Sequence, residues 1–327
     1  MASAELDDFP AFVPRAPWWG GDLQTLRNYV RRQIDPLVGL PGQRLELPLR
    51  DGSGDRLAAV LHAARDPSER PLLVLVHGLT GTEDSPYIRA TAAAALAAGY
   101  PVLRLNLRGA GASRPLCRLQ YHAGRTEDLA DALAALPDAL TRNGIVAMGF
   151  SLGANLLLKF LGEGGDRQLR GAVAVSAPLD LAAAARRLMA RRNAFYHRII
   201  LFHMKAESVA QAAALTDDER KTIAEAPNVV AFDDRFVAPR NGFAGAADYY
   251  AQCSAGRYLD AIVTPTLVIH ALDDPWIPSA AYRAHDWQKN SHVTALLPRR
   301  GGHVGFHGRG DATAWHDRCA LRFFASA

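Results

Sequence analysis

The pentapeptide Gly149-Phe150-Ser151-Leu152-Gly153 has the residue types and spacing of a nucleophilic serine held on a sharp turn. It ends the apolar run Ile145–Phe150 and opens the helical pattern Leu152–Leu161, so a strand passes into a helix through Ser151. Such a turn strains the serine, and glycines two residues to either side let neighbouring backbones pass without a Cβ collision. It lifts the hydroxyl clear of the sheet, and the helix N-terminus supplies positive potential where an oxyanion would form. The pattern alone is weak, because in a chain of this length it arises by chance, as a plain Gly-rich turn, in about one case in ten. Its position between strand and helix gives it weight.

An activated serine needs a base, and the base needs an orienting carboxylate. On this kind of turn they follow in the order serine, acid, histidine. Downstream, Leu267–Leu272 runs into Asp273-Asp274-Pro275-Trp276-Ile277-Pro278. Asp274 is the first choice, because the D-P-x-x-P spacing sets it at the turn. Asp273 is its close rival, and Asp180, just past the preceding strand, is a third candidate; the reading without chemistry is that these aspartates solvate their loops. The base falls at His303 in Arg300-Gly301-Gly302-His303-Val304-Gly305-Phe306, a glycine-flanked loop after the last apolar run, Val293–Leu297. His307 and His316 lack that loop context, and His270 reads as a buried strand residue. Val76-His77-Gly78-Leu79-Thr80-Gly81 follows another apolar run. The turn there would give one oxyanion donor, the Leu79 N–H, and the Leu152 N–H would give the other, each contributing on the order of 3 kcal/mol. His77 is expected to prop the turn and to transfer no proton.

These residues need a frame. Leu72–Val76, Pro101–Leu107, Ile145–Phe150, Ala172–Val175 and Thr266–His270 read as strands buried on both faces. Tyr87–Ala98, Glu127–Arg142 and Leu152–Leu161 read as helices between them. This alternation predicts an α/β fold with a mostly parallel central sheet flanked by helices. Arg44–Arg50 and Arg56–His62 flank Asp51-Gly52-Ser53-Gly54 and suggest an antiparallel hairpin at the sheet edge. The expected division is an arm over 1–43, a core over 44–179 and 262–327, and a helical cap over 180–261 inserted after the sixth strand. A cap there would cover the carboxyl edge of the sheet, where open α/β folds bind ligands. In it Phe195, Tyr196, Ile199, Ile200, Leu201, Phe202 and Met204 form an apolar stretch that either lines an acyl tunnel or packs helix against helix.

The 327 residues are 49% hydrophobic and 21% charged, enough apolar material for a large core. A formal charge of +4, with arginine pairs scattered at Arg31–Arg32, Arg186–Arg187, Arg191–Arg192 and Arg299–Arg300, does not make the clustered basic face that nucleic acid requires. Those pairs read as solvated surface, with weak attraction to anionic membrane as the minor alternative. The three cysteines, Cys117, Cys253 and Cys319, are widely spaced and suggest neither disulfide framework nor metal clasp. No metal cluster, Walker loop or dinucleotide fingerprint occurs, so no cofactor or metal is expected. The acidic start, without an apolar stretch, and the lack of an ~18-residue apolar run lead to the expectation of a cytoplasmic protein, although Trp18–Trp19 could touch an interface.

Several further motifs agree in order. Gly21-Asp22-Leu23-Gln24-Thr25-Leu26, His77-Gly78-Leu79-Thr80-Gly81, Asn106-Leu107-Arg108-Gly109, Tyr121-His122-Ala123-Gly124, Ser151 with Ala154-Asn155, Tyr249-Tyr250, Asp273-Asp274-Pro275 and Gly302-His303 together resemble the YheT-like α/β-hydrolases over nearly the whole chain. The family usually has His where this chain has Asp22. The resemblance implies a triad at Ser151, Asp274 and His303 and a serine carboxylesterase acting on small-molecule esters of short or medium chain. It also brings alcohol O-acyltransferase and lipase activity as alternatives using the same triad. A non-catalytic ligand-binding scaffold would need a broken triad.

Overall fold

The computed structural model describes residues 9–30, 35–64, 69–210 and 215–326. The acidic first residues and Arg31–Arg32 lie outside these. Eight strands form one sheet: β1 (Gln43–Pro48), β2 (Arg56–His62), β3 (Leu72–Val76), β4 (Val102–Leu105), β5 (Ile145–Phe150), β6 (Leu169–Val175), β7 (Thr266–Ile269) and β8 (Val293–Leu296), in the order β1-β2-β4-β3-β5-β6-β7-β8. β3 to β8 run parallel, while β1 pairs antiparallel with β2, and β2 with β4. The expected edge hairpin is therefore present, with its first strand stopping at Pro48.

With both faces covered, β3 and β5 carry no polar side chain at any position. Leu72, Val74 and Val76 face one core layer together with Ala147 and Ala174. Leu73 and Leu75 face the other with Val146, Met148, Val173 and Ile269. All five residues of β3 are at most 1% exposed. Each such side chain contributes about 1.5–3 kcal/mol of burial, which helps to fix the strands that carry the site's loops. Helices Thr126–Ala134 and Leu152–Gly162 cover the first layer, and Pro86–Ala97 and Trp315–Phe324 the second.

Some boundaries differ from the sequence expectation. The helix expected over Glu127–Arg142 is broken: Thr126–Ala134 ends, and a single turn, Asp138–Thr141, follows Pro137. Proline cannot donate to the helix ladder and pushes the residue before it out of helical conformation. β4 stops at Leu105, and two residues on the Leu107 amide goes to His77 Nε2 instead of to a neighbouring strand. Asn106 holds the Glu83 amide and carboxylate, and the fully buried Arg108 guanidinium bonds Asp55 and Asp128.

Between β6 and β7 the structure is helical, including Leu181–Leu188, Ala194–Val209, Asp217–Glu225 and Ala246–Cys253. This segment lies against the carboxyl-end loops of the sheet. Tyr121 donates to Glu207, and Asn193 donates to Pro275 O. Leu79 and Trp276 pack beside the cluster of Leu188, Tyr196, Met204, Ile223 and Phe232. Of the apolar stretch, Tyr196 and Met204 are buried there, but Phe195, Ile199 and Phe202 are 65, 40 and 67% exposed. Those three line neither a tunnel nor a helix interface, because the helix turns them outward. No helix among the described residues is long and apolar enough to cross a membrane.

Candidate active site

Ser151 sits between β5 and helix Leu152–Gly162 with φ 52° and ψ −119°. A non-glycine residue in that region costs about 1–3 kcal/mol and persists only where its surroundings impose it. Here they do: Ser151 N donates to Val175 O at 2.8 Å, and Ser151 O accepts the Asn155 amide of the helix's first turn. Glycines make the approach of neighbouring backbones feasible. A Cβ on Gly153 would lie 2.3 Å from His77 O, and one on Gly78 would lie 3.0 Å from Ser151 Cβ. The β3 turn and the serine turn are thus in direct backbone contact.

Three sequence candidates come together in one line. Ser151 Oγ donates to His303 Nε2 at 2.9 Å, and His303 Nδ1 donates to Asp274 Oδ2 at 2.8 Å. The carboxylate fixes the tautomer, because it offers only acceptors to Nδ1. Asp274 is wholly buried, and its Oδ1 accepts the amides of Trp276 (2.8 Å) and Ile277 (3.0 Å). Burial pushes its pKa up, but the charge and hydrogen bond of His303, with His270 and the Ile277 amide, outweigh burial and leave it below the ordinary carboxylate value.

The rival acids have other partners. Asp273 Oδ1 accepts Gly302 N at 3.0 Å and braces the His303 loop from outside; its pKa is raised, mainly by burial. Asp180 is the N-cap of helix Leu181–Leu188, accepting the Ala183 amide. His270 follows β7, stacks on Tyr282 at 3.8 Å, and lies 4.0 Å from Asp274 Oδ2, too far for a hydrogen bond. His307 meets Arg27 at 2.8 Å, and His316 lies against Asp317 and Phe150.

His77 is a prop. Its Nε2 accepts Leu107 N at 3.0 Å, and its Nδ1 donates to Gly78 O at 2.8 Å. Complete burial lowers its pKa to about 4, so it stays neutral. In the same turn Gly78 N donates to Tyr87 Oη (2.9 Å) and Thr80 N to Tyr121 Oη (2.8 Å). The two phenols thus occupy the amides on either side of Leu79, the residue expected from sequence to give one oxyanion donor. Leu152 N–H, expected to give the other, is the first amide of the helix, where backbone donors have no partner within the helix. Among the described residues, no group of three or more His, Cys, Asp or Glu is arranged to hold a metal ion.

Several residues that hold this geometry have no role assigned from sequence. Thr25 Oγ1 accepts the His303 amide at 2.8 Å, and Gln24 holds both the amide and the carbonyl of His307. The amino-terminal helix Gly21–Val30 therefore positions the histidine loop. Asp22, the departure from the family pattern, accepts from Arg192 (2.8 Å) and Tyr196 (3.1 Å) and ties that helix to the helical insert. The Trp276 ring lies 4.4 Å from His303 and 5.3 Å from Tyr196. Asn155 binds Ala123 O, Cys253 O and Ala255 N, joining the core to the end of the insert. The motifs shared with the family carried a signal for Gln24, Thr25, Tyr121 and Asn155, but no local pattern said what each would touch.

A parallel sheet with a strained serine at the end of its central strand, followed in order by acid and histidine, defines a hydrolase class. The sequence profile of the alpha/beta hydrolase fold matches residues 71–309, and the chain belongs to that family and, within it, to the YheT-like group. It is 34% identical over 309 residues, 93% of this chain and 89% of the other, to a protein of Escherichia coli (strain K12) named "Putative esterase YheT". It is 28% identical over 281 residues to the medium-chain fatty acid ethyl ester synthase/esterase 2 of Saccharomyces cerevisiae, spanning 78% of this chain and 62% of the yeast protein. Among solved structures, an esterase of Pyrococcus furiosus superposes with a TM-score of 0.62, covering 97% of this chain and 98% of the other at 16% identity, which is a likeness of fold.

Proposed function

We propose that this hydrolase is a serine carboxylesterase that cleaves short- to medium-chain esters through an acyl-enzyme on Ser151. The observation that carries the proposal is the unbroken hydrogen-bond line from Ser151 Oγ through His303 to the buried Asp274 carboxylate. His303 Nε2 takes the serine proton as Oγ attacks the ester carbonyl. The Leu79 and Leu152 N–H groups stabilise the oxyanion as it forms. His303 then gives the proton to the departing alkoxide, and water attacks the acyl-enzyme by the same route. Asp274 holds the imidazole in the tautomer that can accept at Nε2 and stabilises it when charged. Residues 180–261 act as a cap: Leu79 and Trp276, at the reacting centre, adjoin its apolar cluster, which would meet the acyl chain. Relatives named for esterase and ester-synthase activity support the same substrate class.

The test is hydrolysis of a p-nitrophenyl ester series from acetate to palmitate by the wild type and by Ser151→Ala. The expected outcome is turnover highest at short or medium chain and abolished in the variant, with its melting curve unchanged. Undiminished turnover in Ser151→Ala would remove the assignment. If an alcohol replaces water at the second step the same triad makes esters, and the ratio of ester to free acid formed in added ethanol measures that activity.

A further inference from the structure

Helix Ala194–Val209 has two apolar faces. One, with Tyr196 and Met204, packs toward the active site. The other points away: Phe195, Ile199, Phe202 and Val209 are 65, 40, 67 and 45% exposed, and they make up four of the ten exposed large apolar side chains among the described residues. At 3.6 residues per turn they fall within an arc of roughly 80° and form one continuous stripe. The exposed Arg191 stands before the helix and the exposed Arg198 lies along its flank, while Arg192 pairs with Asp22 and Lys205 donates to Ala224 O. The only carboxylate of the helix, Glu207, turns inward to Tyr121. A second exposed apolar group, Trp19 and Leu23, brackets Asp22, which is bonded to Arg192 and Tyr196 at this end of the helix.

We propose that this outer face docks the protein on a lipid surface bearing anionic headgroups. The stripe offers on the order of 400 Å² of apolar area, about half of what one side of a stable protein–protein interface buries. It is enough for a helix lying in the plane of a membrane interface, which needs bulky apolar residues on one arc and cations beside it. Phe195, Ile199 and Phe202 would enter the headgroup–acyl boundary while the exposed Arg191 and Arg198 meet phosphates. The proposal goes beyond ester hydrolysis and does not depend on it.

The test is co-sedimentation of the full chain with vesicles of phosphatidylcholine alone and with phosphatidylglycerol added, at low and high salt. Binding to the anionic vesicles that weakens with salt is expected, falling roughly tenfold or more in Phe195→Ser/Phe202→Ser. Arg198→Glu is expected to bind more weakly and with less salt dependence. Both variants should keep the wild-type melting temperature, since these side chains are exposed. No binding by the wild type, or equal binding by the double variant, overturns the proposal. So does concentration-dependent self-association that the double variant abolishes, which would give the face to a second copy of the chain.

Discussion

Replacing Asp274 with Asn changes the site by little more than one atom. Asp274 Oδ1 accepts the amides of Trp276 and Ile277 at 2.8 and 3.0 Å, so the carboxamide oxygen of Asn will stay there. Its NH₂ group then takes the place of Oδ2, which is 2.8 Å from His303 Nδ1. A donor facing Nδ1 forces that nitrogen to accept, and the ring proton moves to Nε2. In this tautomer Nε2 cannot take the Ser151 proton. The expected loss in kcat is about 10⁴-fold, or about 5.5 kcal/mol, with KM little changed because the alteration acts on the transition state. The assay is steady-state hydrolysis of p-nitrophenyl butyrate, with thermal melting to check the fold. In Ser151→Ala/Asp274→Asn the rate should be no lower than in Ser151→Ala alone, since the residues act as a unit. Asp273→Asn is the control: it can keep its bond to Gly302 N and should stay within about tenfold of wild type. Near-normal activity in Asp274→Asn, or greater damage in Asp273→Asn, would show that Asp274 does not orient His303.

Two further outcomes follow from the same contacts. Thr25→Val strips the acceptor from the buried His303 amide, a loss of about 1–3 kcal/mol, and should lower both kcat and the melting temperature without altering Ser151 itself. Unchanged kcat would show that the amino-terminal helix does not position the histidine. Burial raises the Glu207 pKa to about 7, against the pull of its Tyr121 hydrogen bond and Arg114. The folded protein therefore holds this proton more tightly than the unfolded chain, where a glutamate titrates near pH ~4.3. Stability from this group is fully present below pH ~4.3 and is lost as pH rises to about 7. Glu207→Gln should be no more stable than wild type in acid but melt several degrees higher near pH ~8, a gap worth about 3 kcal/mol. A pH-independent difference in melting temperature would contradict the assignment.

Much of this geometry was legible in the sequence because it is local. Ile145–Phe150 is apolar at every position because both faces of β5 are covered, and its junction with Leu152–Gly162 can only be a turn through Ser151. The choice among Asp274, Asp273 and Asp180 was less legible. All three follow parallel strands, and what separates them is the direction of one side chain, set by the Trp276 and Ile277 amides in one case and by Gly302 and Ala183 in the others. Contacts across the chain left no pattern to read: Thr25 meets His303 over 278 residues, and Tyr121 meets Glu207 over 86. The apolar stretch of the insert looked uniform in sequence. The helical period divides it into Tyr196 and Met204 inside and Phe195 and Phe202 outside, and only packing shows which face the core takes.

In the proposed mechanism Ser151 is the residue that becomes acylated. Mass spectrometry of the protein after reaction with a fluorophosphonate probe tests this most directly. One adduct per chain is expected, on the peptide containing Ser151, absent in Ser151→Ala and greatly slowed in Asp274→Asn. An unlabelled Ser151 in protein that still hydrolyses esters, or labelling at another residue, would contradict it.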